Sequence, residues 1–272
     1  MHKHGQPARV AKVSAFADRV GYPVILKSDV GSVGKGVVKV DRAESLPGRL
    51  AQTAGPYLAQ QFTSNNLEFG VFYVRLNGKP RITGINQKHF PTVTGDGERS
   101  LGELAKAHPR YTFHWRTFLQ YLDESAVPAQ GEQVQLSFIG SHTMGCRFTD
   151  DTHLVTPALE AAIFSVFAQQ PGFNFGRLDV KVRDKEAFQQ GEFVVIEVNG
   201  VASLPTNMFD PDNTLLQAYR IFLRHGNYLV RAAAENRRQI MPLDSYRNIV
   251  RRVRDNAAVL NKSHVSLMSE PR

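Results

Sequence analysis

The sequence predicts an α+β fold of antiparallel strand pairs with helices between them, and three observations lead to it. Residues 177–183 and 193–199 are alternating apolar runs on either side of a polar loop holding Gly191, the pattern of a hairpin. Residues 24–26 and 37–40 flank a second, glycine-rich loop at 31–36 in the same way. Elsewhere apolar residues recur at spacings of three and four, as Val10, Val13, Phe16, Ala17 and Val20 do.

From the N-terminus, residues 8–21 read as a helix that Gly21 stops. Residues 22–40 run strand, loop, strand, and a second helix is expected over 43–53. Gly34-Lys35 is followed by Gly36, and the residue five before Gly34 is Asp29, so a Walker loop, G-x-x-x-x-G-K-S/T running into a helix, is excluded. A glycine loop between strands folds over nucleotide phosphates, where missing Cβ atoms let N–H groups approach, or is a mobile hairpin tip. Gly31, Ser32, Gly34, Lys35 and Gly36 are the candidate cradle, with Lys27 reaching the same phosphates as a point charge.

Residues 57–76 read as strand, polar turn, strand. Backbone at Gln60, Gln61, Phe62 and Thr63 is placed to hydrogen-bond a flat heterocycle. Glu68 accepts from ribose hydroxyls or is an ordinary strand-edge carboxylate. A turn at Asn77 leads into a strand and then a loop holding Lys88, a second candidate phosphate contact, and His89, expected at the surface. Ser100 and Glu103 form a capping box. Residues 110–121 interleave basic and aromatic side chains, which either stack nucleic-acid bases or, with Trp115, Phe118, Leu119 and Leu122 at helical spacings, pack a core. Residues 140–148 read as a loop entering a strand and 157–169 as a helix.

In the hairpin, Arg177, Asp179 and Lys181 share one side of their strand while Leu178, Val180 and Val182 take the other. On the second strand Phe193, Val195, Glu197 and Asn199 are expected to share a side. Arg177, Asp179, Glu197 and Asn199 then meet on one surface. Two carboxylates and an amide oxygen beside a guanidinium suit Mg²⁺ that also holds phosphates; the plain alternative is an exposed, charged strand pair. A helix carrying Leu215, Leu216, Tyr219, Phe222 and Leu223 follows. The last stretch, with Arg237, Arg238, Arg247, Arg251, Arg252 and Arg254, is a nucleic-acid surface or a solvated helix face.

Composition narrows the class without naming a function. Hydrophobic content of 42% and charged content of 21% are those of a globular protein, and 272 residues make one large domain or two lobes. The net charge of +8 asks for an anionic partner: a triphosphate, a nucleic acid or an acidic surface. The single Cys146 excludes an intrachain disulfide, the polar start lacks a leader's apolar core, and no apolar run approaches the ~20 residues of a membrane helix. A cytoplasmic protein with no membrane partner is expected.

Over about residues 20–225 these features, in this order, resemble the ATP-grasp ligases. GYPVILKS with GSVGKGV resembles the phosphate-binding lysine and glycine loop of that superfamily, and LAQQF with Glu68 its adenine hinge and ribose carboxylate, though an acidic residue is commoner where Gln60 or Gln61 stands. GRLDV and IEVNG resemble the R-x-D and E-x-N signature. KHFPTVTGDGERSLGEL with GSHTMG is most similar to the cyanophycin-synthetase branch and related carboxylate–amine ligases.

The resemblance implies two α+β lobes with antiparallel sheets enclosing a nucleotide cleft. The expected divisions are residues 1–76, 77–230 and an arginine-rich helical tail at 231–272. It also implies ATP and two Mg²⁺ ions, with Mn²⁺ as a substitute, held by Asp179, Glu197 and Asn199, with Glu197 bridging. Arg177, Lys27 and Lys88 would neutralise the transferring phosphoryl group, and an acyl phosphate would pass to an amine. Members normally carry an N-terminal domain and an upstream nucleotide-contacting lysine, whereas this chain begins 26 residues before Lys27. The expected partners are therefore a carboxylate and an amine substrate, a subunit supplying the absent domain, and a second copy in a homodimer. The alternatives are an ATP-binding protein without full ligase activity and a basic nucleic-acid-binding module, though nucleic acid is not the expected partner.

Overall fold

The computed structural model describes residues 6–28, 37–51, 56–65, 67–112, 115, 122–137, 140, 145–170, 172–238 and 247–255. The candidate cradle Gly31, Ser32, Gly34, Lys35 and Gly36, and the packing residues Phe118 and Leu119, lie outside them. The chain is α+β, with antiparallel sheets, and divides into two compact units: residues 65–241, and residues 1–64 with 242–272.

In the smaller unit, α1 (Gln6–Val20) ends where Gly21 adopts φ +80° and its N–H returns to the Ala17 carbonyl at 2.7 Å, the left-handed cap glycine allows. A three-stranded antiparallel sheet follows, in the order β2–β1–β3, from β1 (Val24–Ser28), β2 (Val38–Val40) and β3 (Tyr57–Gln61). The helix expected over 43–53 divides into a 3-10 turn at Ala43–Ser45 and α2 (Leu46–Ala51). Pro47 lacks an N–H and fits only a first helical turn, so the α-helix restarts beside it. Val24, Leu26, Val38 and Val40 pack with Ala17, Leu46 and Leu50 as this unit's core.

The larger unit is built on a five-stranded antiparallel sheet ordered β10–β9–β4–β5–β8. Its strands are β4 (Leu67–Leu76), β5 (Lys79–His89), β8 (Arg147–Asp150), β9 (Phe175–Val182) and β10 (Val194–Asn199). Where the sequence reading divides the chain at 76, the structure divides it after Ser64, because β4 is the middle strand of this sheet. A satellite pair, β6 (Thr92–Thr94) and β7 (Gln133–Gln135), packs with α3 (Leu101–Ala107), whose N-terminus carries the Ser100–Glu103 capping box. Trp115 and Leu122 pack on that cluster, the core role weighed for their stretch.

One face of the large sheet is the main core. Phe69, Val71, Ile85, Leu178, Val180 and Val182 meet Leu159, Ile163 and Phe167 of α4 (Pro157–Ala168), a helix capped by the Thr156 hydroxyl on the Leu159 N–H. The segment between β9 and β10, expected as a polar loop, contains a short helix, α5 (Lys185–Gln189). Asp184 caps it through the Ala187 N–H at 2.7 Å, and Phe188 stacks on Phe69 at 4.4 Å, so the loop contributes to the core. After β10 the chain reaches α6 (Leu215–Arg238), which runs past the expected tail boundary at 231.

Candidate functional site

Opposite the core face, the large sheet presents charge. Directly opposed residues on antiparallel strands share a face. β4 sets Glu68 between Lys88 of β5 and Lys181 of β9, and Gly70 between Asn86 and Asp179. β10 then sets Glu197 opposite Asp179 and Asn199 opposite Arg177.

This last pairing depends on a β-bulge. Val195 opposes Val180, yet Glu197 opposes Asp179, so Ile196 is an extra residue on β10. The expectation that Phe193, Val195, Glu197 and Asn199 share a side is therefore corrected. Phe193 and Val195 pack against the core, and the bulge turns Glu197 and Asn199 to the charged face. Were Ile196 an ordinary ladder residue, strict alternation would carry Glu197 to the core side with Val195.

The charged groups are in contact. Lys88 Nζ donates to Glu68 Oε1 at 2.7 Å and to Asp179 Oδ2 at 2.9 Å. Arg177 Nε donates to Asp179 Oδ1 at 2.5 Å and its terminal nitrogen to Oδ2 at 3.0 Å, a two-pronged bond. Asn199 Nδ2 donates to Asp179 Oδ2 at 3.2 Å. Glu68, Lys88 and Asp179 are only 3%, 5% and 2% exposed. Lys88 thus lies within β5, an inner strand of the sheet, not in the loop expected for it. His89 likewise is half-buried, with Nε2 and Thr149 Oγ1 2.9 Å apart, and burial followed by the Arg147 charge pushes its pKa below the usual value.

Burial alone would drive Lys88 toward its neutral form, but Asp179 and then Glu68 outweigh it and lift its pKa above that of an ordinary lysine. For Asp179, burial would raise the carboxyl pKa, and Lys88 and Arg177 hold it below the usual range. Burial likewise opposes the Arg177 charge, and Asp179 and Glu197 more than restore it.

Three residues given no site role by the sequence reading shape this face, one of them, Gly140, the first residue of GSHTMG. A Cβ on Gly70 would come within 2.5 Å of Asn86 Oδ1 and 2.9 Å of Arg177 Cδ, so only glycine lets those side chains converge above β4. A Cβ on Gly140 would reach 2.5 Å from Glu68 Oε1 and 2.8 Å from Lys88 Cδ. Asn86 is fully buried; its Oδ1 accepts from Thr206, while its Nδ2 has no hydrogen-bond partner among the described residues. Asn86 was legible as the residue two before Lys88, hence on its face of the strand.

In the smaller unit, Lys27 opposes Leu58 and Gln60 opposes Ile25, so Lys27 and Gln60 share a sheet face. Gln61 opposes Val24 on the other face and sends its Nε2 to the Val20 carbonyl. Phe62 donates its N–H to the Pro23 carbonyl at 3.3 Å and carries the Lys39 ammonium 4.8 Å above its ring; Thr63 follows outside any strand.

Asp179 and Glu197 are like charges directly opposed across two strands, a pairing that destabilises a sheet unless cations offset it, as Arg177 and Lys88 do here. With the Asn199 amide beside them, all the donors are hard oxygens, so the set fits Mg²⁺ or Mn²⁺. Among the described residues no group of three or more His, Cys, Asp or Glu side chains forms a metal cluster, so a divalent ion here would rely on the amide and on phosphate oxygens.

No family model and no curated protein matches the sequence. Among solved structures, the chain is similar to a bifunctional glutathione synthetase from Pasteurella multocida, at 15% identity over 82% of this chain and 32% of that one, TM-score 0.40. It is similar to a D-alanyl-alanine synthetase A from Vibrio cholerae, at 16% identity over 84% of this chain and 56% of that one, TM-score 0.42. A D-alanine–D-alanine ligase from Bacillus anthracis is similar at 13% identity over 83% of this chain and 59% of that one, TM-score 0.45. The chain thus spans a third to three fifths of these structures, at a likeness too low to assign a function.

Proposed function

We propose that the chain is an ATP- and Mg²⁺-dependent carboxylate–amine ligase that works through an acyl phosphate. The observation that carries this reading is the buried trio Glu68, Lys88 and Asp179, with the half-buried Arg177 bonded to it and Glu197 directly across from Asp179. The ordered sequence motifs of the ATP-grasp resemblance support the same reading.

Placing two cations against one buried carboxylate is worthwhile where a polyanion must be received. Lys88 and Arg177 would turn part of their bonding from Asp179 toward the terminal phosphate. Lys27 and the glycine cradle around Gly31, Ser32, Gly34, Lys35 and Gly36 would hold the remaining phosphates. Glu68 would accept from the ribose, and the chain at Gln60, Gln61, Phe62 and Thr63 would meet the adenine. Asp179, Glu197 and Asn199 would hold the divalent ions, which supply charge neutralisation between the β- and γ-phosphates.

The substrate carboxylate oxygen attacks the γ-phosphorus, and the bond from that phosphorus to the bridging oxygen breaks, releasing ADP. The amine nitrogen then forms the amide bond, and phosphate leaves with the former carboxylate oxygen. Positioning and charge stabilisation supply most of the rate in such transfers, and among the described residues this face offers no nucleophile–base pair for covalent catalysis.

The test is phosphate release by the purified chain with Mg·ATP and a panel of amino acids and small amines, one carboxylate carrying ¹⁸O. Transfer of ¹⁸O into inorganic phosphate is the expected result. Phosphate released without label, or ATP hydrolysis indifferent to every carboxylate, would refute the acyl phosphate.

A further inference from the structure

α6 is apolar on two faces, and only one is covered. Tyr228, Leu229 and Ala232 pack onto Val74 and Phe175 of the large sheet. Around the helix from them, Leu215, Leu216, Tyr219, Phe222, Leu223 and Val230 form a stripe open to solvent, with Leu215 at 74% and Leu216 at 79% exposure. At about 3.6 residues per turn these positions fall on one side. A contiguous exposed apolar stripe marks a contact surface.

We propose that this stripe is the contact between two copies of the chain, paired antiparallel about a two-fold axis passing between Phe222 and Gly226. Two independent features select a second copy. The first is shape. Gly226 lies within the stripe, and a side chain there would meet nothing within 4 Å, so it leaves an open gap one turn from the bulky Phe222. A two-fold axis between them drops each Phe222 into the gap at Gly226 of the other copy, and sets Tyr219 against Val230 and Leu215 against Ala233.

The second feature is charge. Arg237 lies on the same line of the helix as Tyr219, eighteen residues and about five turns further on, and is exposed. Asp212, also exposed, precedes the N-terminus of α6. The register chosen by shape alone brings Asp212 of each copy to Arg237 of the other, at both ends of the stripe. Antiparallel helices also set opposite dipole ends together. The proposal is independent of the ligase reading, since no residue of the charged sheet face takes part.

Sedimentation velocity on the full chain over a concentration series tests it. A reversible monomer–dimer equilibrium is expected, with half-association on the order of 10–100 µM for a contact of one helix face. Leu223→Asp should leave only monomer. Asp212→Arg and Arg237→Asp should each weaken association at least roughly fivefold, and the double variant should restore it, because reversed charges meet again. A monomeric wild type across the series overturns the proposal, whatever else covers the stripe. So do charge reversals without effect, a double variant that fails to recover, or growth beyond the dimer.

Discussion

Replacing Lys88 with methionine keeps the bulk of the side chain and removes the ammonium that Glu68 and Asp179 share at 2.7 and 2.9 Å. Asp179 retains Arg177, so the uncompensated charge falls mainly on Glu68, 3% exposed and flanked otherwise by Lys181 across β9. Breaking a buried ion pair by removing one partner costs about 3–5 kcal/mol, and the surviving cations place this case near about 3 kcal/mol. With a urea dependence of about 2 kcal/mol per molar, the unfolding midpoint should fall by roughly 1.5 M. The single tryptophan, Trp115, sits in the same unit and reports the transition by fluorescence. The penalty should also shrink as pH falls from 8 to 5. Buried carboxylates without their cation take up protons in the native state above the pH at which the unfolded chain does, so lowering the pH favours the variant's native state. A midpoint shift under about 0.5 M, independent of pH, would refute the view that Lys88 holds two buried acids together.

Four further outcomes follow from the same geometry. Glu197→Gln should fold normally, since Glu197 is exposed, yet lose at least ~10²-fold in nucleotide turnover; a fully active variant would remove it from the metal site. Gly70→Ala forces a Cβ to within 2.5 Å of Asn86 Oδ1 and should destabilise the large unit by about 1–3 kcal/mol, read by the same urea transition. Deleting Ile196 removes the bulge but leaves Val195 opposite Val180 and Glu197 opposite Asp179, so no β10 side chain changes face and the large unit should keep its cooperative transition; loss of cooperativity would argue against the register described. In the wild type, Asp179 has a depressed folded pKa, so its contribution is fully present above the unfolded carboxylate value and is lost as pH falls from there through the folded value; acid unfolding should begin below about pH 4 and be blunted in Asp179→Asn.

The alternation of β9 was legible because Leu178, Val180 and Val182 leave no doubt which side is core. The bulge in β10 was not, because residues 193–196 are all apolar and a continuous apolar run does not say where the phase shifts. α5 was hidden by its length, although Asp184 three residues before Ala187 is a capping signal. The burial of Lys88 was not legible, because its carboxylate partners lie 20 and 91 residues away, a distance no local pattern spans. The apolar side of α6 was visible as a helix pattern, but that two apolar faces exist and one stays exposed follows only from the packing of Tyr228, Leu229 and Ala232.

The central claim is that the strand face around Asp179 and Glu197 receives a magnesium-bound triphosphate, and calorimetric titration with ATP addresses it most directly. Binding should be strong with Mg²⁺ and at least about tenfold weaker in EDTA, and Asp179→Asn or Glu197→Gln should abolish that difference. ATP affinity that is the same with and without the metal, or a metal dependence left intact in both variants, would contradict it.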